Sequence, residues 1–186
     1  MKFAFSTALI LISSLSWAQI SLPGAVADSV FLKVLFPKAY SQIGQPFPEF
    51  SFTGKNKTIN NSNLKGKVVL INFWFEGCHP CMAEMEALQE LSEKLKDNKD
   101  FLFISISKDN KETIKRVKEK YSLTFDVFAT TEQECRRLNY DSGYPTNLIL
   151  DKTGALKFFH AGGSIKKEVA REHVMTKLLS EIQSIL

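Results

Sequence analysis

The sequence predicts an α/β fold, with a central mixed β-sheet flanked by helices. Three observations carry this. KVVLINFWF, 67–75, and FLFISI, 101–106, are nearly continuous β-branched and aromatic runs, as expected of strands buried on both faces. Each is followed by a polar-faced segment with helical periodicity. The chain then closes on two apolar runs around Asp151-Lys152-Thr153-Gly154, a turn whose Gly154 suits a left-handed position. Strands alternating with helices and ending in an antiparallel hairpin make a mixed sheet.

Taken in order, MKFAFSTALILISSLSWAQ opens with Lys2 and an apolar core over 3–15. Ser16-Trp17-Ala18 then offers a small-x-small cleavage site. Residues 1–18 therefore read as a signal peptide, since the core is shorter than the roughly 20 residues a membrane span needs. Residues 19–43 form a mixed lead-in segment, and 44–186 the single folded domain. FPEFSF, 47–52, stops at Thr53-Gly54 before Lys57 to Asn60, predicting an N-terminal β-hairpin extension. The first buried strand, 67–75, leads into a helix from Cys78 to about Lys96. The second, 101–106, is followed by a helix over 110–120 with Ile114 and Val117 on one side. A short strand over 125–128 and a short helix over 131–138 form a βα-type insertion. The hairpin uses 146–150 and 155–160. Ser164 is positioned as the N-cap of a last helix whose apolar line includes Met175, Leu178 and Ile182.

The 186 residues carry a formal net charge of +4, with 44% hydrophobic and 24% charged side chains, ordinary values for one globular domain. The lysines are scattered among Asp and Glu, which describes a solvated surface and excludes a phosphate-binding stripe; nucleic acid is not an expected partner. An exported chain meets an oxidising compartment, where paired cysteines are redox-active or structural.

Two of the three cysteines lie in FWFEGCHPCMAEME, 73–86, with two residues between them. A c-type haem site needs His directly after the second cysteine, where Met82 stands. Structural zinc needs four ligands, and beyond His79 only Cys135, His160 and His173 remain, far apart. A bridge closing a four-residue loop stabilises by about 2 kcal/mol, against about 4 for one spanning roughly 58 residues. The pair is therefore better suited to switching between dithiol and disulfide than to stapling.

Its position supplies the activation. A thiol at a helix N-terminus faces unsatisfied N–H groups and the positive end of the dipole, which favour thiolate. Pro80 tolerates the first turn because its missing N–H is not needed there. Cys78 is expected to be exposed ahead of the helix as nucleophile, with Cys81 shielded one turn inward as the resolving thiol. His79, if protonated, would further favour the thiolate; an ordinary exposed loop histidine is the alternative. Cys81, Glu84, Leu88, Leu91 and Leu95 share one helical face. Glu84 is thus a carboxylate on the apolar stripe, where desolvation would raise its pKa and fit it to exchange a proton with Cys81; a side chain tilted out to water, or an ordinary structural hydrogen bond, is the alternative. Cys135, in TTEQECRRL, reads as a buried helical thiol, with a third redox thiol as the alternative.

A strand ending in FWFEGCHPC, with Tyr144-Pro145-Thr146 before a hairpin, resembles the thioredoxin superfamily. GQPFPEFSF, LKGKVVLINFWFEGCHPC and the segment inserted after 101–106 are similar to its exported TlpA/ResA-like thiol-disulfide oxidoreductases. The resemblance implies that Cys78 attacks and Cys81 resolves. It makes Pro145 a cis-proline against the pair, with Tyr144 beside it at the substrate, and Trp74 packed beneath the active-site loop. It also places Glu84 where several members carry a functional buried glutamate. No cofactor is implied. Expected partners are protein disulfides, apocytochrome c and metal-site thiols among them, and a membrane-bound electron donor. A monomer in the periplasm or cell envelope, working in the reductive direction, completes the expectation. Two departures stand out: Asn72 replaces thioredoxin's buried aspartate, and the intervening dipeptide is His79-Pro80. The rivals are a thiol peroxidase, whose PxxxTxxC pattern 73–78 lacks, and a copper metallochaperone using Cys78, Cys81 and a distant histidine.

Overall fold

The computed structural model describes residues 32–54 and 57–186. The signal peptide and the first part of the lead-in lie outside them. Within the lead-in, α1 (Pro37–Ser41) buries Ala39 and sets Tyr40, with Phe36 before it, edge-on against Phe159. The expected hairpin is present: β1 (Ser51–Thr53) pairs antiparallel with β2 (Thr58–Asn60).

The main sheet has five strands in the order β5-β4-β3-β6-β7. They are β3 (Val68–Trp74), β4 (Phe101–Ser107), β5 (Val127–Ala129), β6 (Thr146–Leu150) and β7 (Leu156–Ala161). Pairings β3–β4 and β4–β5 are parallel, while β3–β6 and β6–β7 are antiparallel. The expected mixed sheet is therefore observed. All seven residues of β3 are buried, because both faces of this central strand are covered.

Alternate β3 side chains build two cores. Val68, Leu70 and Trp74 pack with α2 (His79–Leu95), with Ile114 and Val117 of α3 (Lys111–Lys120), and with the C-terminal helices. Val69, Ile71 and Phe73 pack on the other face with the β1–β2 hairpin, Ala39, and Cys135 and Leu138 of α4 (Glu132–Leu138). The helices start where side-chain caps replace missing intrahelical partners. Asn110 accepts from Thr113 N and Thr131 from Glu134 N.

Several expected boundaries move. Of Phe47 to Phe52 only Ser51 and Phe52 lie in β1; Phe50 N donates to Asn61 Oδ1, a side chain that replaces a ladder partner. The strand expected over 125–128 runs Val127–Ala129 instead, set by pairing of Ser105–Ser107 with those residues. Ser164 is not an N-cap: its Oγ accepts from Lys166 N, and α5 (Lys167–Glu172) begins beyond it. The last helix is interrupted by a π-helical turn, His173–Leu178, before α6 (Leu179–Ile185). Side-chain periodicity does not register the inserted turn, which places Val174, Leu178 and Ile182 in the core and leaves Met175 at its margin. No helix among the described residues is long and apolar enough to cross a membrane.

Candidate active site

The carboxyl end of β3 delivers the chain to the site through Phe75-Glu76-Gly77. This loop is tied down at both ends. Glu76 N donates to Asp109 Oδ2 at 2.6 Å, and Cys78 N to Phe75 O at 3.0 Å. Arg116 grips the Glu76 carboxylate through Nε and Nη2 at 2.9 and 2.5 Å, and that hydrogen bonding holds its pKa below the usual value. Beneath the loop Trp74 is fully buried, its Nε1 donating to Ser105 Oγ at 2.7 Å.

Cys78 is the N-cap of α2. Its sulfur accepts from Cys81 N at 3.2 Å and its carbonyl from Met82 N at 3.0 Å, so the thiol position coincides with the orphan N–H groups of the first turn. Cys78 and Cys81 are joined by a disulfide. Cys78 is 6% exposed and Cys81 is fully buried. The expected order of access holds, but the expectation of an open nucleophile is corrected: only a narrow edge of Cys78 is left for a partner to reach. His79 is exposed at the first helical position and forms no ion pair among the described residues.

Glu84 lies on the buried face of α2, one turn beyond Cys81, at 3% exposure. Asn72 Nδ2 donates to its Oε1 at 3.0 Å, and Asn147 Nδ2 lies 3.4 Å from each carboxylate oxygen. Desolvation pushes its pKa up to about 8, against the opposing pull of the Asn147 and Asn72 hydrogen bonds. The asparagine found in place of an aspartate therefore contacts Glu84 directly. Asn147 was not singled out from sequence, although a polar residue inside the otherwise apolar TNLIL strand was a visible signal.

The Tyr144–Pro145 peptide is cis. Pro145 is buried, and its carbonyl accepts from Gly162 N at 2.9 Å. Gly163 completes this wall: a Cβ there would stand 3.1 Å from Pro145 Cγ and 3.4 Å from Pro80 Cβ. The close approach of three chain segments accounts for the glycine, a role that sequence reading missed. Gly163→Val is expected to lower kcat/KM for insulin disulfide reduction about tenfold while the protein stays folded, because the wall beside Cys78 must shift; circular dichroism and turbidity assays check both parts.

Tyr144 precedes the cis-proline directly. Its hydroxyl is buried and turned to the Cys135 thiol as its polar neighbour, and its ring stands edge-on to Phe75 with centroids 5.2 Å apart. Lys108 Nζ lies 4.1 Å from the Phe75 centroid and 5.3 Å from that of Tyr144. What this pair can present to a substrate is an aromatic flank. Cys135 is fully buried in the core on the opposite face of the sheet, and burial pushes its thiol up to about 11. It is a core residue, separated from the Cys78–Cys81 pair by the sheet itself.

A two-cysteine helix cap whose Pro80 shares Gly163 as neighbour with a cis-proline, on a five-stranded mixed sheet, defines a thiol-disulfide oxidoreductase of thioredoxin fold. The chain belongs to the AhpC/TSA family, whose model matches residues 43–159. It is similar to the thioredoxin-like protein YneN of Bacillus subtilis, 33% identical over 137 residues, covering 70% of this chain and 78% of that one. The thiol-disulfide oxidoreductase ResA of Bacillus anthracis is 33% identical over 135 residues, covering 72% and 78%. Among solved structures, a thiol-disulfide oxidoreductase from Bacteroides fragilis superposes with a TM-score of 0.61 at 25% identity, covering 74% of this chain and 99% of that one. A thiol:disulfide interchange protein from Chlorobium tepidum shares the fold, with a TM-score of 0.57 at 23% identity, covering 72% and 95%. These relatives do not favour a thiol peroxidase or a copper carrier.

Proposed function

We propose that the chain is a reductant of protein disulfides in the cell envelope, with Cys78 as nucleophile, Cys81 as resolving thiol and Glu84 as the proton-exchanging group. The observation that carries this reading is the bridge across the first turn of α2, with only Cys78 reaching solvent. In the reduced protein, the Cys78 thiolate attacks a substrate disulfide. A Cys78–substrate bond forms, and the first substrate sulfur leaves as thiolate and takes a proton from water. Cys81 passes its thiol proton to the Glu84 carboxylate and attacks the Cys78 sulfur. The Cys78–Cys81 bond forms, the Cys78–substrate bond breaks, and the second substrate thiolate takes a proton from water while Glu84 returns its own to solvent. Two electrons and two protons have then reached the substrate, and a membrane-bound thiol donor returns two electrons to the bridge.

Pro145 and the Gly162-Gly163 segment form the wall along which an extended substrate backbone lies, with Phe75 and Tyr144 flanking it. Trp74 supports the loop from below, and His79, exposed beside Cys78, meets the incoming partner. Apocytochrome c thiols and metal-site thiols are the substrate types in view. Residues 1–18 supply the export signal, and the protein acts as a monomer.

Direction is a matter of potential: about 30 mV corresponds to about 1.4 kcal/mol between the two redox states. Equilibration of the Cys78–Cys81 couple against a glutathione series is expected to give a value near that of thioredoxin, about −270 mV. A value near about −120 mV, that of a strong oxidant, would reverse the assigned direction.

A further inference from the structure

Glu84 sits where burial alone favours its neutral form, yet its use by Cys81 requires that it also ionise. The residues that touch it are two amides from adjacent strands. Asn72 and Asn147 are direct register partners of β3 and β6, so their side chains emerge side by side on the face covered by α2. Asn72 Nδ2 donates to Glu84 Oε1 at 3.0 Å and to Asn147 Oδ1 at 2.8 Å. The second contact turns the Asn147 amide so that its Nδ2 faces both carboxylate oxygens, at 3.4 Å each. Among the described residues, every hydrogen bond made to the carboxylate comes from an N–H donor. The Asn72 carbonyl oxygen, by contrast, is buried with no partner among them. A buried acceptor left unmatched marks a side chain held in place for its donors.

We propose that Asn72 and Asn147 are positioning residues, a donor-only cradle that favours the ionised form of Glu84 against its burial and so sets the pH range in which it serves Cys81. This rests on the proton-exchanging role assigned to Glu84 above. Neutral amides fit this role because they donate to the anion without adding a charge that would repel it, as an aspartate would at either position.

Charged groups do not compete for this control. On its own helix Cys81 lies one turn before it and is joined to Cys78 in the bridge. On β7, His160 is the register partner of Asn147 and is held by Glu181 at 2.6 Å. His173, from the π-helical turn, packs against His160, and Lys177 binds Glu181. Lys167 and Arg171 of α5 are bound to Glu86 and Glu90 on the outer side of α2. The perturbations of Glu84 come from burial and the two amides, and from none of these charges.

The test is a carboxyl ¹³C titration of the glutamate-labelled full chain, with the Glu84 signal identified by its loss in Glu84→Gln. Asn147→Ala and Asn72→Ala should each move the Glu84 midpoint upward by about one pH unit, a tenfold change in its ionisation equilibrium. Asn147→Ser, which keeps one donor, should move it less. The pH profile of insulin reduction should follow by the same interval. Where either alanine variant fails to fold, Asn147→Ser decides the matter through its own smaller upward displacement. A midpoint unchanged in the folded variants overturns the cradle, even if they lose thermal stability. If Glu84→Gln leaves the rate profile intact while the asparagine variants still move the midpoint, the cradle stands and the catalytic use of Glu84 falls.

Discussion

Cys78→Ser should reduce insulin disulfide reduction to the uncatalysed rate. On the proposed roles the mixed disulfide forms at Cys78, the only one of the pair that reaches solvent, whose sulfur sits on the orphan N–H groups that start α2. A hydroxyl there remains protonated and forms no bond to sulfur. Neither remaining thiol can substitute. Cys81 is fully enclosed, and Cys135 lies in the opposite core with its thiol pushed up to about 11. The companion change, Cys81→Ser, should instead leave Cys78 attached to its substrate, since nothing resolves the adduct; mass spectrometry distinguishes the two. Catalysis retained in Cys78→Ser would remove the assignment of this pair as the redox centre.

The second large effect falls on stability as a function of pH. The Glu84 carboxyl has a folded-state pKa of about 8 against an ordinary 4.5, because the fold withholds water from its charge. Below about pH 4.5 the group is neutral whether folded or unfolded, and its environment contributes no proton-linked penalty. Between pH 4.5 and about 8 the unfolded chain releases the proton while the folded protein retains it, so stability falls steadily. Above that range both states are ionised and the loss is complete. At about 1.4 kcal/mol per pH unit, the loss approaches about 5 kcal/mol over the interval. Glu84→Gln cannot ionise and lacks this slope. Urea unfolding of the oxidised proteins at about pH 5 and about pH 8 should therefore show the wild type losing several kcal/mol relative to the variant. Parallel behaviour of the two would mean that Glu84 reaches water.

Much of the molecule was legible locally. KVVLINFWF could only be a strand covered on both faces, and the helical spacing of Cys81, Glu84 and Leu88 placed the carboxylate on the buried side of its helix. The cysteine spacing, with proline in the first turn, announced a thiol at a helix start. These inferences succeed because hydrophobic periodicity and helix-end chemistry are properties of neighbouring residues. The misreadings have the opposite origin. Ser164 looks like a cap from its neighbours alone, but the helix begins at Lys167. The strand after α3 is displaced because its limits are set by pairing with Ser105–Ser107. The openness of Cys78 was overestimated: its side chain is 6% exposed and counts among the core residues on its face of the sheet.

By itself the sequence determined the order of strands and helices, the place of the thiol pair at the head of α2, and the helical face on which Glu84 lies. The tertiary structure alone decided what surrounds them. It joined Asn72 to Asn147 across two strands 75 residues apart in sequence and set both on Glu84. It also brought Gly163 against Pro145 and Pro80, and put Cys135 on the far side of the sheet. Periodicity fixes the face on which a side chain lies; only the register between strands and the packing of helix on sheet select its neighbours, and those neighbours set proton affinity and access.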